Sequence, residues 1–234
     1  MKKQDRDSCI QCGTCCKKGG PTLHHEDKAI LLAGHLGYQH LVTIRKGELA
    51  FDPILESLKP VEKEMVKVRG TENGWACCFY NENESACIIY ANRFLECRLL
   101  KCWDPSEIIS VIGKDTIVRA DIVNPDDPIM QVVETHEREC SLEEVENLIK
   151  SLSSEPGRTD TMAKLKRLIC TDLTFRYYAA SELGLRKEFE PFVFGRPLTQ
   201  ILKSRGIKIN PSTSSIEGCP PELESFLKTA FKPL

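Results

Sequence analysis

The chain has 234 residues, of which 41% are hydrophobic and 28% charged, and its formal net charge is −2. This composition is typical of a protein with a buried core, and the small charge excludes strong attraction to nucleic acid or an anionic membrane. No apolar run is long enough to span a bilayer, and Lys2 and Lys3 are not followed by the apolar stretch of a secretion signal. We therefore expect a cytoplasmic protein with neither nucleic acid nor membrane as partner, and a protein partner stays open.

Twelve cysteines are many for a chain without an export signal. Cytosolic thiols are kept reduced, so clustered cysteines indicate metal ligands rather than a disulfide framework. The clustered ones form two groups, Cys9, Cys12, Cys15 and Cys16, then Cys77, Cys78, Cys87, Cys97 and Cys102. The isolated Cys140, Cys170 and Cys219 are expected to be small buried side chains.

The first cysteine group ends in a turn, and short elements follow it. Apolar spacing predicts a helix over residues 26–36, and β-branched residues predict strands over residues 41–44 and 65–68. Turns are predicted between these strands, at Asp52-Pro53 and at Lys59-Pro60. The second cysteine group is expected on short segments around a polar turn at residues 81–85.

Beyond Cys102 the pattern becomes helical. Asp104 is a predicted helix cap, and Ser141 with Glu144 forms a capping box that opens a helix to about Leu152. Further helices are predicted over residues 161–185 and 197–204. Residues 153–160 are expected to form a linker and residues 210–221 a mobile tail. Residues 117–123 and 129–133 fit either helix or strand. The predicted fold class is α+β. A metal-stapled domain spans residues 1–104 and a mostly helical region spans residues 105–234, which leaves open whether the two share one core.

The first cysteine group predicts the chemistry of the site. Two successive Cys-x2-Cys steps direct three sulfurs towards one point, as in zinc and iron–sulfur sites. Adjacent side chains diverge, so Cys15 and Cys16 are expected to serve two centres or different irons of one cluster. Eight thiolates would fill two four-sulfur sites, each holding zinc or a [4Fe–4S] cluster. The pattern leaves open whether Cys77 or Cys102 is a ligand. The predicted ligands are Cys9, Cys12, Cys15, Cys16, Cys78, Cys87, Cys97 and Cys102.

The order of these motifs resembles a known family. Cys9-x2-Cys12-Gly13-x-Cys15-Cys16, Cys78-Phe79, Cys87-Ile88-Ile89-Tyr90 and Arg93-x3-Cys97-Arg98 are similar to the YkgJ-type cysteine-cluster family of bacteria. Phe94 departs from the pattern, because the family commonly has proline there. The resemblance implies zinc or iron chelation over about residues 8–102. A related cluster in flagellin lysine N-methylase implies one enzymatic use.

Charged residues and histidines near these motifs allow two interpretations. Arg93 and Arg98 flank Cys97 and could donate hydrogen bonds to a thiolate or to a bound cofactor, or could lie on the surface. His24 and His25 are expected as capping or exposed residues. His136-x3-Cys140 has helical ligand spacing but lies far from the cysteine groups in sequence, so it is expected to be incidental.

Two functional hypotheses remain. The first is a metal-binding protein without catalysis that holds zinc or an iron–sulfur centre. The second is an iron–sulfur enzyme or electron carrier, with a link to protein methylation as one form. No catalytic residue follows from the sequence, and a thioredoxin-like role for Cys12-x2-Cys15 lacks the strand–helix context that such sites need.

Overall fold

The computed structural model describes residues 8–71, 74–154 and 159–207. Its N-terminal half contains three short antiparallel strand pairs, and its C-terminal half is helical, so the α+β prediction is confirmed. The strands are β1 Leu41–Ile44, β2 Leu49–Asp52, β3 Ser57–Pro60, β4 Met65–Val68, β5 Tyr80–Asn81 and β6 Ala86–Cys87.

The strand pair β1–β4 packs one of its faces on the core of the protein. Both strands have the predicted bounds, and Thr43 lies opposite Val66 in the antiparallel register. Thr43, Val66 and Val68 are buried, whereas Val42 and Lys67 on the other face are half-buried, as the period-2 alternation of a strand requires. The strand pair therefore presents one face to the core.

The hairpin β2–β3 was not predicted. The sequence correctly placed a turn after Asp52, whose carboxylate accepts the backbone N–H groups of Ile54 and Leu55. The turn predicted at Lys59-Pro60 was wrong, because both residues belong to β3 and pair with β2. Proline is tolerated there because it ends a strand that has only one neighbour. The strands β5 and β6 form a second hairpin, which flanks the polar turn predicted at residues 81–85.

The helices follow the predicted order with shifted ends. The helix expected over residues 26–36 is a 3-10 turn followed by one short α-helix, and the long helix predicted to residue 185 ends at Ser181. Residues 119–121 form a 3-10 turn, and residues 129–133 are helical. The tail at residues 210–221 lies outside the described residues, as does half of the predicted linker, residues 155–158. The linker prediction was wrong for residues 153–154 and 159–160, which are helical. The helices are α1 Lys28–Leu32, α2 Leu95–Leu99, α3 Ser106–Val111, α4 Pro128–Glu139, α5 Leu142–Ser154, α6 Thr159–Ser181, α7 Glu190–Phe194 and α8 Leu198–Ser204.

Local sequence accounts for the helix starts. Asp127 caps α4 by accepting the backbone N–H of Ile129, with Pro128 at the first helical position. Ser141 accepts the backbone N–H of Glu144 and opens α5 as predicted. α2 and α7 were not predicted because helices of five residues are too short for a periodic pattern.

One hydrophobic core joins the two halves. Leu23, Val66 and Phe79 from the N-terminal half pack in the same cluster as Phe175 and Phe194 from the helices. β1 packs against α7, and Thr43 donates its hydroxyl hydrogen to the carbonyl of Phe192. Within the described ranges, no helix is both long and apolar enough to cross a membrane.

Candidate metal centre

The first cysteine group lies on a tight loop over a tyrosine. Gly13 has φ +72°, and a Cβ there would lie 2.2 Å from the hydroxyl oxygen of Tyr80. Only glycine therefore fits between Cys12 and Thr14. The loop closes when Lys17 donates its backbone N–H to the carbonyl of Gly13, and Cys16 then begins a 3-10 turn.

The second group is attached directly to this loop. The backbone N–H of Cys77 donates to the carbonyl of Cys16 at 2.8 Å, and that of Cys78 donates to the carbonyl of Arg69 at 3.1 Å. Cys87 pairs with Tyr80 across β5–β6. Hydrogen bonding thus brings cysteines about 60 residues apart in sequence to one place.

The helix α2 carries Cys97 and is held by two carboxylates. Asp27 is buried and accepts the backbone N–H groups of His24 and Leu95, at 3.0 and 2.8 Å. Glu96 accepts the backbone N–H of Thr22 at 2.7 Å and contacts the His24 ring at 3.4 Å. His24 is only 1% exposed, so the alternative of solvent exposure was wrong for this residue.

Five sulfurs from four chain segments come together. Burial raises the pKa of the Cys97 thiol, and the nearby Cys77, Cys16, Cys87 and Cys15 raise it further. Burial likewise raises the pKa of Cys16 to about 12, with Cys15, Cys77 and Cys87 as further causes. The Cys16 and Cys97 thiols are therefore protonated at neutral pH in the absence of an ion. Binding a cation would remove the mutual repulsion that disfavours their thiolates.

The adjacent thiols of Cys77 and Cys78 have pKa values shifted in opposite directions. A hydrogen bond to Cys78 raises the pKa of the Cys77 thiol, and the same bond lowers the pKa of Cys78. The Arg69 guanidinium lowers the Cys78 pKa further. Cys78 is thus the member that most readily becomes a thiolate. Cys77 was not among the predicted ligands, although its place next to Cys78 was the signal that could have included it.

Two buried donors beside the cluster have no hydrogen-bond partner among the residues that the structure describes. They are Nε of Arg69 and the hydroxyl of Tyr80. Buried polar groups are nearly always hydrogen-bonded, so an unpaired pair here fits a site whose acceptors are thiolate or sulfide sulfurs. The soft sulfur donors and these two groups together fit a zinc ion or an iron–sulfur centre.

The cysteine sulfurs lie near one another but not at the distances of a single tetrahedral metal site. Cys15 and Cys16 have their Sγ atoms 4.0 Å apart. Among the described residues, no three cysteine sulfurs of residues 9–102 lie within 4.8 Å of one another. Those nine cysteines carry thiols rather than disulfide bonds.

Within the described part of the chain, the structure does not bring the remaining predicted residues into contact with the five sulfurs. Cys9, Cys12 and Cys102 are exposed, and the backbone N–H of Gln11 donates to Sγ of Cys9 at 3.4 Å. Arg93 stacks 4.0 Å from the Tyr90 ring, and its charge acts to lower the pKa of Cys87, although burial is the larger effect and raises it. Arg98 instead pairs with Glu26 and donates to the carbonyl of Arg93.

The isolated cysteines divide into two cases. Cys140 is a fully buried thiol, as predicted. Cys170 is also buried but is disulfide-bonded, so its prediction as a simple small side chain was wrong. Cys219 lies outside the described residues. His136, expected to be incidental, lies with Cys140 and Asp172 in a buried group whose ligand atoms are within 4.8 Å of one another.

Fold and site together define a cysteine-rich, metal-binding α+β protein. A family model described as "CxxCxxCC: Putative zinc- or iron-chelating domain" matches residues 8–140. This match covers more than half of the chain, and the chain belongs to that family. No curated protein and no solved structure matches the chain.

Proposed function

We propose that this protein binds zinc through the converging thiols of Cys15, Cys16, Cys77, Cys78, Cys87 and Cys97, with Cys9, Cys12 and Cys102 completing the ligand set from the rim. The observation that carries the proposal is the convergence of thiols from four chain segments beside two unpaired buried donors. Cysteine thiolates from separate chain segments are ordinary ligands of zinc sites.

The spacing of Cys15 and Cys16 is compatible with two sulfurs on one metal ion. A metal–sulfur bond of about 2.3 Å in a tetrahedron places two sulfurs about 3.8 Å apart. The observed 4.0 Å between these two Sγ atoms is close to that value. We therefore propose a shared ion for these two cysteines, as an alternative to the expectation that they serve two centres or different irons of one cluster.

An iron–sulfur centre is the second candidate, as part of an enzyme or an electron carrier. The number of cysteines supports it, because nine thiols in residues 9–102 exceed what one zinc ion needs. In either case the residues near the centre supply binding and charge balance. Arg69 and Tyr80 would donate hydrogen bonds to sulfur, and Arg93 would offset the negative charge near Cys87.

The two candidates differ in colour and metal content. The full chain is to be purified without oxygen, and its absorption spectrum and bound metals measured. A colourless protein with stoichiometric zinc supports the first candidate. A brown protein with stoichiometric iron supports the second. Protein purified with neither metal, and unable to take up either, contradicts the proposed function.

Variants test which thiols bind the metal. Cys97→Ser removes a buried sulfur of the cluster, and Cys16→Ser removes one from the loop, so each is expected to lower metal affinity at least 100-fold. Thr14→Ser is the matched control on the same loop and should bind normally. Unchanged affinity in Cys97→Ser and Cys16→Ser would contradict the assignment of the site.

A further inference from the structure

A second group of metal-type ligands lies in the helical half, away from the clustered cysteines. His136 lies on α4, Cys140 caps the end of that helix, and Asp172 lies on the facing α6. The spacing of four residues places His136 and Cys140 on one helix face. One potential ligand atom from each of the three lies within 4.8 Å of the other two, and all three residues are 0% exposed.

We propose that His136, Cys140 and Asp172 form a buried site for a divalent transition-metal ion of the zinc class. Nitrogen, sulfur and carboxylate oxygen are all ordinary zinc ligands. Nε2 is the ring nitrogen of His136 that faces Asp172, so Nε2 is the atom that would bind the ion together with the Cys140 sulfur and the Asp172 carboxylate.

The orientation of the imidazole ring is set by its neighbours. Nε2 of His136 is 2.8 Å from Oδ1 of Asp172, and the ring packs against Phe175 and Phe194. Asp172 is itself fixed, because Oδ2 accepts the backbone N–H of Leu198 and Oδ1 accepts from Arg176. The ligands are thus held rigidly by α4, α6 and the start of α8.

The net charge of the groups around the three ligands favours a bound cation. Three buried arginines, Arg45, Arg119 and Arg176, face four carboxylates. The four are Glu64, Glu137, Asp172 and Glu190, so the group carries one excess negative charge. A divalent ion together with the Cys140 thiolate adds one net positive charge and brings the sum to zero. Arg176 is also paired with Glu190, so its charge stays compensated when Asp172 binds the ion.

Cadmium NMR separates this site from the cysteine cluster. The full chain is to be loaded with ¹¹³Cd²⁺, whose chemical shift distinguishes one sulfur ligand from several. We expect a single-sulfur resonance beside those of the sulfur-rich site. The single-sulfur resonance should vanish in Cys140→Ser and in Asp172→Asn and persist in Cys97→Ser. Its absence from the wild-type spectrum, or its persistence in Cys140→Ser, would overturn the proposal.

The number of metal ions bound per chain distinguishes a ligand role of Cys140 from a purely structural one. Because the three ligands are fully buried, one ion per chain should survive a short exposure to chelator that strips the less deeply buried cysteine cluster. Cys140→Ala keeps a small buried side chain, so it should fold and yet lose that ion. Thr135→Val on the same helix is the matched control and should keep it. Equal retention in wild type and Cys140→Ala would show that Cys140 only fills space.

Discussion

The two halves of the molecule are stabilised in different ways. The cysteine-rich half consists of two- to five-residue elements joined by turns, and burial raises the pKa of its Cys16 and Cys97 thiols. The helical half contains α4, α5 and α6, with 12, 13 and 23 residues, packed around aromatic side chains. Long helices bury enough apolar surface to fold by themselves, whereas short turns need an additional cross-link. The difference indicates that metal decides the order of one half more than of the other.

Removal of the metal is expected to have the largest effect. Zinc bound to thiolate sites contributes about 10–16 kcal/mol, which is comparable to the whole stability of a domain. Chelation should therefore remove hydrogen-exchange protection from the 3-10 turn Cys16–Lys18, from β5–β6 and from α2. α4 and α6 should stay protected. Uniform loss of protection across both halves would contradict the contrast.

The ion network that joins the halves should give the next largest effect. Arg45 beside β1 and Arg119 both bind Glu137 on α4, and Arg45 is 1% exposed. Glu137→Gln leaves two buried guanidiniums with less negative charge, so we expect a loss of about 3 kcal/mol of unfolding free energy, measured by urea denaturation.

Glu139→Gln is the matched control for this substitution. Glu139 lies two residues further along the same helix and forms an exposed pair with Arg138. Its replacement should change stability by less than about 0.5 kcal/mol. Equal effects of the two variants would show that the network does not couple the halves.

The pH dependence of metal affinity should be steep for the cysteine cluster. The pKa of Cys16 is raised to about 12, so at neutral pH the thiol holds a proton that the metal must displace. Affinity therefore rises with pH and falls with acid, about tenfold per pH unit for each thiol deprotonated on binding. Competition with a chromophoric chelator at several pH values measures this slope, and Cys16→Ser should reduce it by one proton. A metal affinity that does not change with pH would mean that the ligands are not these thiols.

The exposed hairpin should give the smallest effect. Leu58 on β3 is 65% exposed and contributes little buried area. Leu58→Thr keeps strand propensity, so we expect a change below about 0.5 kcal/mol in unfolding free energy. Val66→Thr in the buried face of β4 is the contrasting control and should cost several times more. A large effect of Leu58→Thr would mean that the hairpin packs against another surface in solution.

The sequence alone determined the ordered cysteine motifs, the strands β1 and β4, the capped helix α5 and the α+β class. These depend on local signals, namely ligand spacing, β-branched alternation and a capping box, which act within a few residues. The same signals did not detect α2, α7 or the hairpin β2–β3, because their elements are too short or their apolar residues face solvent.

Only the tertiary structure decided which side chains meet. Cys77 joins Cys16 through a backbone hydrogen bond, Cys78 donates its backbone N–H to the carbonyl of Arg69, and His136 contacts Asp172 on a facing helix. No spacing rule connects residues that are 36 to 72 positions apart, as His136 and Asp172 or His24 and Glu96 are. Such contacts depend on how the strand pair and the helices pack around their shared core, which local chemistry does not specify.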